Sequence, residues 1–192
     1  MKILVACEES QVVTKAFRAK GHEAYSADIK EPSGGKPEWH IKGDVSLLIG
    51  EKWDMIIAFP PCTYLSNAAA NILFKDKKLN EERYEKGLEA KEFFMKFYNA
   101  NCKKIAVENP IPMKIFELPP YTQIIHPFYF GEPYRKATCL WLKGLPPLMC
   151  TSIVMGDIRS WVSSSRGGIH RNPFMRSKTF PSIAKTMAEQ WG

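Results

Sequence analysis

Along this chain, short unbroken apolar runs alternate with stretches whose apolar residues lie three or four apart. Ile3-Leu4-Val5-Ala6 is a run of the kind that forms a fully buried strand, and Val12, Val13, Ala16 and Phe17 between Ser10 and Lys20 have helical spacing, which Gly21 ends. A second strand is predicted over 22–27, ending in Asp28, and a Pro/Gly-rich loop from Glu31 to Pro37 leads to a third short element before Asp44. Asp54-Met55-Ile56-Ile57-Ala58-Phe59 reads as a buried central strand, stopped by Pro60-Pro61, which cannot continue a ladder of hydrogen bonds. Residues 63–80 follow neither period and carry small residues and then Lys75, Lys77 and Lys78, which predicts a mobile loop. Asn80 is placed to cap a long helix reaching about Asn99, with Glu81 and Glu82 in its first turn and Tyr84, Leu88, Ala90, Phe94 and Tyr98 on or near the face expected against the sheet. Lys104-Ile105-Ala106-Val107 is another strand, ending at Glu108-Asn109-Pro110. Gln123 to Phe130 and Thr138 to Leu142 read as strands near an edge, and 183–191 as a terminal helix.

This alternation predicts an α/β fold: an open, largely parallel sheet with helices on both faces, in one domain over 1–192. Ligands of such sheets gather at the carboxyl ends of the strands. Glu8, Asp28, Asp44, Cys62 and Glu108 each sit at or just past the end of an apolar run or short element. No internal repeat or low-complexity segment interrupts the pattern.

Charge adds a partner class. Twenty-seven basic against twenty acidic residues give a formal charge of +7, which favours a polyanion such as nucleic acid and suits a solvated basic surface equally well. The five cysteines form an odd set without a C-x-x-C pair, so neither a disulfide framework nor a zinc knuckle is expected, and reduced thiols fit a cytoplasmic location. No apolar run approaches the roughly 18 residues that cross a bilayer, so no membrane partner is expected.

A thiol directly after a strand and a Pro-Pro turn is held at a sharp corner, where backbone N–H groups favour the reactive thiolate; this singles out Cys62. Cys7 also lies near a strand end, whereas Cys102, Cys139 and Cys150 lie in or beside apolar runs and read as structural. Pro60-Pro61-Cys62-Thr63-Tyr64-Leu65-Ser66 resembles the nucleophile motif Pro-Pro-Cys-Gln-x-x-Ser of the cytosine-5 methyltransferases, with Thr63 in place of the glutamine. The family's next landmark, Glu-Asn-Val at the end of the following strand, is matched by Glu108-Asn109-Pro110. Among members, the chain is similar to a small, phage-type one without a large target-recognition domain.

The resemblance implies a Rossmann-like fold dependent on S-adenosylmethionine and a DNA (cytosine-5-)-methyltransferase activity. Cys62 is then the nucleophile that adds to carbon 6 of cytosine, and Glu108 binds ring nitrogen 3 and the exocyclic amine. The target base must be flipped out or already unpaired, and the loop after Cys62 closes over it. Tyr134-Arg135-Lys136-Ala137-Thr138 lies in the region of the family's Gln-x-Arg-x-Arg motif, so Arg135 or Lys136 is expected to steady the base or a phosphate. On the cofactor side the Gly-rich first motif is replaced by Ala6-Cys7-Glu8-Glu9-Ser10-Gln11; Cys7, Glu8, Ser10 and Pro60 are expected around the cofactor, Asp28 at its ribose and Asp44 at its adenine. Arg176 to Ala184 is similar to a degenerate last motif and its returning helix.

Only 146–174 is available as an insert in place of a target-recognition domain, with Arg159, Trp161, Arg166, His170 and Arg171. Ser66, Asn109, Arg166 and Arg171 are the expected nucleic-acid contacts. So short an insert predicts low sequence specificity, a partner subunit, or a homodimer that completes the groove. The amino-methyltransferase alternative needs a polar residue before Pro-Pro and an aromatic after it, where this chain has Phe59 and Cys62. A second alternative is a catalytically silent nucleic-acid-binding or anti-restriction protein, supported by the Gly-free first turn. The same chemistry on RNA or on a free cytosine nucleotide is a third.

Overall fold

The computed structural model describes residues 1–75, 77–161 and 178–192. In chain order its elements are β1 (Lys2–Ala6), α1 (Val12–Ala19), β2 (Glu23–Asp28), β3 (His40–Lys42), β4 (Met55–Ala58), α2 (Ala70–Leu73), β5 (Phe74–Lys75) and β6 (Lys78–Leu79). There follow α3 (Glu81–Tyr98), β7 (Lys104–Asn109), β8 (Gln123–Ile125), β9 (Tyr134–Arg135), β10 (Thr138–Lys143), β11 (Arg159–Ser160) and a C-terminal helix (Pro181–Trp191).

The apolar runs are continuous because both faces of the main sheet are covered. Its seven strands run in the order β3-β2-β1-β4-β7-β10-β8; the first five are parallel, and β10 is antiparallel to both of its neighbours. This is the expected Rossmann-like α/β arrangement with a reversed strand near one edge. Side chains alternate between two cores. Ile3, Val5, Met55, Ile57 and Ala106 meet Val13 and Phe17 of α1 and Ile183, Met187 and Trp191 of the C-terminal helix. Leu4, Ile56, Ile105, Val107 and Trp141 meet Phe94 and Phe97 of α3. Burying each large apolar side chain contributes about 1.5–3 kcal/mol, so the two layers fix the sheet and its carboxyl edge.

Three expectations are corrected. Residues 63–80 hold α2 and the β5–β6 hairpin rather than an irregular loop, because Leu65 and Leu73 bury themselves in the α3-side core. The inner face of α3 includes Gly87, Phe94 and Phe97, while Leu88 is 37% exposed: the apolar stripe is rotated toward the side on which the Phe116 ring leaves no room for a Cβ at Gly87. The stretch from Gln123 to Phe130 is a strand only as far as Ile125, and Pro127–Tyr129 turns as a 3-10 helix, with proline at its start. The opening of the expected insert is strapped to the body: Leu148 and Gln123 exchange two hydrogen bonds of 2.8 Å, and Met149 and Gln190 exchange bonds of 2.8 and 3.0 Å. Among the described residues no helix is long and apolar enough to cross a membrane.

Candidate active site

β4 and β7 are neighbours, paired Ala58 to Val107, so the segments that follow them leave the sheet side by side. Asn109, wholly buried, donates from Nδ2 to the carbonyl of Pro60 at 3.1 Å and so ties the Pro-Pro turn to the end of β7. The Cys62 carbonyl then accepts from the N–H groups of Leu65 and Ser66 at 3.2 and 3.0 Å, closing a tight turn around the half-buried Cys62. Beyond it, Met113 donates to the Leu65 carbonyl and Asn67 to the Ile111 carbonyl, both at 2.8 Å. From α3, Arg83 donates through Nη2 to the Thr63 carbonyl at 2.8 Å and lays its guanidinium 4.9 Å from the centre of the Tyr64 ring. The Cys62 turn is therefore fastened from two sides. Ser66, an expected nucleic-acid contact, accepts from Ala68 N–H at 3.3 Å and caps a 3-10 turn. Asn109 is a buried brace where a nucleic-acid contact was expected. Among the described residues its Oδ1 has no hydrogen-bond partner. Replacing Asn109 with Ala is expected to lower stability by about 1–3 kcal/mol, read from the midpoint of denaturant unfolding, because it strands the Pro60 carbonyl.

Glu108 points to the other side of β7, toward the C-terminal helix. It lines a cavity of about 20 Å³ with Phe59, Lys136, Thr138, Phe180 and Ile183. Burial pushes its carboxyl above the ordinary range, while the Lys136 charge and the Thr138 hydroxyl oppose that shift. Of the two expected basic residues, Lys136 lies with Glu108, whereas Arg135 is exposed on β9, where its charge, after burial, helps to lower His126. Trp161, from the expected insert, is half-buried, with its ring centre 4.7 Å from that of Tyr134 and 4.5 Å from that of Phe180.

At the end of β1 the turn takes left-handed backbone at Cys7 (φ 58°) and Gln11 (φ 57°), a conformation glycine adopts freely and other residues hold at a cost of about 1–3 kcal/mol each. Glu8, expected beside a cofactor, folds inward: it accepts from Val13 N–H (2.6 Å), Thr14 N–H (3.2 Å) and the Thr14 hydroxyl (2.7 Å), capping α1, whose own N-cap Gln11 makes no side-chain cap. Gln11 is fully buried and bonds both the N–H and the carbonyl of Lys36, so the loop after β2 is seated on this turn; Ser10 is buried with it. Burial pushes the Cys7 thiol up to about 12, and the carboxylates of Asp28 and Asp44 add to the shift, which places both acids around Cys7. Asp28 is half-buried and accepts from Lys30 N–H at 2.9 Å; Asp44 is exposed and accepts from Ser46 N–H at 2.9 Å, which holds its carboxyl below the usual range.

Burial raises Glu8 to about 7 against its hydrogen bonds, so its charged form is disfavoured in the fold. The stability this group contributes is full below the ordinary carboxylate range and is lost as pH rises through about 7. Between about pH 5 and pH 8 the wild type is expected to lose about 2 kcal/mol relative to Glu8→Gln, measured by unfolding of the two proteins in parallel.

Reasoning from sequence missed Phe59, Arg83, Thr138 and Phe180. Thr138 is next but one to Lys136, and Phe59 precedes the Pro-Pro pair, so both were signalled locally; Arg83 and Phe180 reach the site only through packing. Arg166 and Arg171 lie outside the described residues. Among the described residues no group of three or more His, Cys, Asp or Glu side chains is disposed to hold a metal ion.

No protein-family model and no curated protein matches the chain. Among solved structures it is similar to the methyltransferase EhMeth of Entamoeba histolytica, at 14% identity and TM-score 0.49, over 80% of this chain and 57% of that one. It is also similar to the Dnmt2 methyltransferase of S. pombe, at 13% identity and TM-score 0.43, over 73% of this chain and 48% of that one. The chain thus spans about half the length of the structures it resembles.

Proposed function

We propose that this chain methylates carbon 5 of cytosine in DNA, with Cys62 as the nucleophile and S-adenosylmethionine as the methyl donor. The observation that carries the reading is the 3.1 Å bond from Asn109 to the Pro60 carbonyl: it joins the Pro-Pro-Cys and Glu-Asn-Pro segments at adjacent strand ends, while Glu108, on the other side of β7, lines a cavity that Phe59, the residue before the Pro-Pro pair, also borders.

The residues at the end of β1 fit the donor in part. Asp28 and Asp44 offer carboxylate oxygens at the ends of β2 and β3 suited to ribose hydroxyls and an adenine amine, and the left-handed Cys7 and Gln11 shape the turn as glycines would. Glu8 does not fit, because helix N–H groups and Thr14 occupy its oxygens. When bound, S-adenosylmethionine supplies an electrophilic methyl group.

The chain's own residues then divide the work. The Cys62 sulfur forms a bond to carbon 6, and the ring's π electrons shift toward carbon 5 and nitrogen 3. Glu108, its carboxyl pushed above the ordinary range by burial, donates to nitrogen 3 and offsets the charge that develops there, with Lys136 beside it. After carbon 5 gains its methyl group, a base removes the proton there, the carbon–sulfur bond breaks to release the Cys62 thiolate, and nitrogen 3 gives its proton back to Glu108. A pyrimidine ring is larger than the cavity beside Glu108, so base entry requires that cavity to widen.

The test is covalent capture: DNA containing 5-fluorocytosine, which carries at carbon 5 a fluorine in place of the proton a base must remove, should stay bonded to Cys62 in the presence of the donor. The inward fold of Glu8 favours a second reading, a silent nucleic-acid-binding protein. Calorimetry with S-adenosylmethionine separates the two, since a silent binder takes up no donor and forms no adduct.

A further inference from the structure

An open groove of about 570 Å³ lies at the β3–β2 side of the sheet, on the far side of β1 from the segment bearing Cys62. Lys15 and Arg18, one helical turn apart on α1, form one wall; Lys36 and Trp39 form the other, and His22 closes one end. Among the described residues no carboxylate lines it. Lys15 and Arg18 have no ion-pair partner among the described residues, and Lys36 has only an exposed contact with Glu38 at 3.7 Å.

The cations are held in place rather than left loose. Arg18 donates through Nε to the Ala24 carbonyl at 2.8 Å and lies 4.8 Å from the centre of the Tyr25 ring and 5.1 Å from that of Trp39. The Lys36 ammonium lies 5.1 Å from the same indole, and Gln11 fixes the Lys36 backbone at both its N–H and its carbonyl. Gly34 makes this seating possible: a Cβ there would come within 2.6 Å of the Ser10 carbonyl and the Gln11 Cβ. Ordering a long cationic side chain costs rotamer entropy, and here the indole and the buried glutamine meet part of that cost before any ligand arrives.

We infer that this groove binds the phosphate backbone of nucleic acid, as a second contact separate from the Cys62 end of the sheet. An open trough lined by three cations, with one exposed acid, Glu38, at its Lys36 edge, suits an extended polyanion, whereas a small free anion is held by an enclosed site with convergent donors. The inference shares a nucleic-acid partner with the proposed function and is independent of methyl transfer.

Fluorescence anisotropy with a duplex of about 30 base pairs, titrated between about 50 and 200 mM salt, tests it. Lys15→Glu and Lys36→Glu are each expected to weaken binding about fivefold or more at about 0.1 M salt and to flatten the slope of log affinity against log salt by about 0.9 for each phosphate left without its cation. Lys185→Glu makes the same charge change on the exposed side of the C-terminal helix, and its affinity is expected to stay within about twofold of wild type. Circular dichroism checks that each variant is folded. Wild-type affinity and slope in both groove variants, or equal weakening by Lys185→Glu, would overturn the inference. Loss of capture at Cys62 with groove-dependent binding retained sinks the methyl-transfer reading and leaves this one standing.

Discussion

Cys62→Ser is expected to lose methyl transfer by at least about a thousandfold and to form no adduct with 5-fluorocytosine DNA, while unfolding at an unchanged denaturant concentration. The substitution changes one atom of a half-buried side chain in a turn held by backbone bonds to the Cys62 carbonyl, so the fold has no reason to change. Chemistry has every reason to change, because a serine hydroxyl is far less ionised and less polarisable than a thiol at neutral pH. No other cysteine is suited to take over. Burial pushes Cys7 and Cys139 up to about 12, and Cys102 donates its S–H to the carbonyls of Trp53 and Lys104 at 3.3 and 3.4 Å. Cys150 is exposed on the segment strapped to the C-terminal helix, far along the chain from the Pro-Pro turn. Incorporation of labelled methyl groups is the measurement, and normal incorporation by the serine variant would remove covalent catalysis from consideration.

Glu108→Gln is expected to lower kcat by about a hundredfold or more with a smaller change in KM. Glutamine keeps the shape and can still hydrogen-bond a pyrimidine, but it has no proton to give. The pH profile distinguishes a proton donor from a structural residue. Because burial raises the Glu108 carboxyl, its protonated form persists above the ordinary carboxylate range and is lost as pH rises further. The wild-type rate should therefore decline on the alkaline side with a component that the glutamine variant lacks; identical profiles would make Glu108 a packing residue.

Both predictions rest on residues visible in the sequence, and the reason is local. Pro-Pro stops a strand wherever it occurs, and an unbroken apolar run marks a strand covered on both faces, so Cys62 and Glu108 could be placed at carboxyl ends without knowing the sheet order. Asn80 as the cap of α3 was legible for the same reason, since its side chain accepts from Arg83 N–H at 3.0 Å within its own turn. The elements within 63–80 escaped the sequence because Leu65 and Leu73 form structure by burying themselves in a distant core, which no local period reveals.

By itself, then, the sequence determined the central strands, the long helices and the chemical groups that end them, because hydrogen bonding along the backbone and the direction of side chains follow from neighbours in the chain. Only the tertiary structure decided which of those groups remain available. Glu8 and Asn109 were spent on a helix end and a proline carbonyl, Lys136 rather than Arg135 came to rest beside Glu108, and Lys15, Arg18 and Lys36 were gathered along one groove, the last two over the Trp39 indole. A polar group's partner is set by whatever folding brings within about 3 Å of it, and that distance depends on residues far away in the chain.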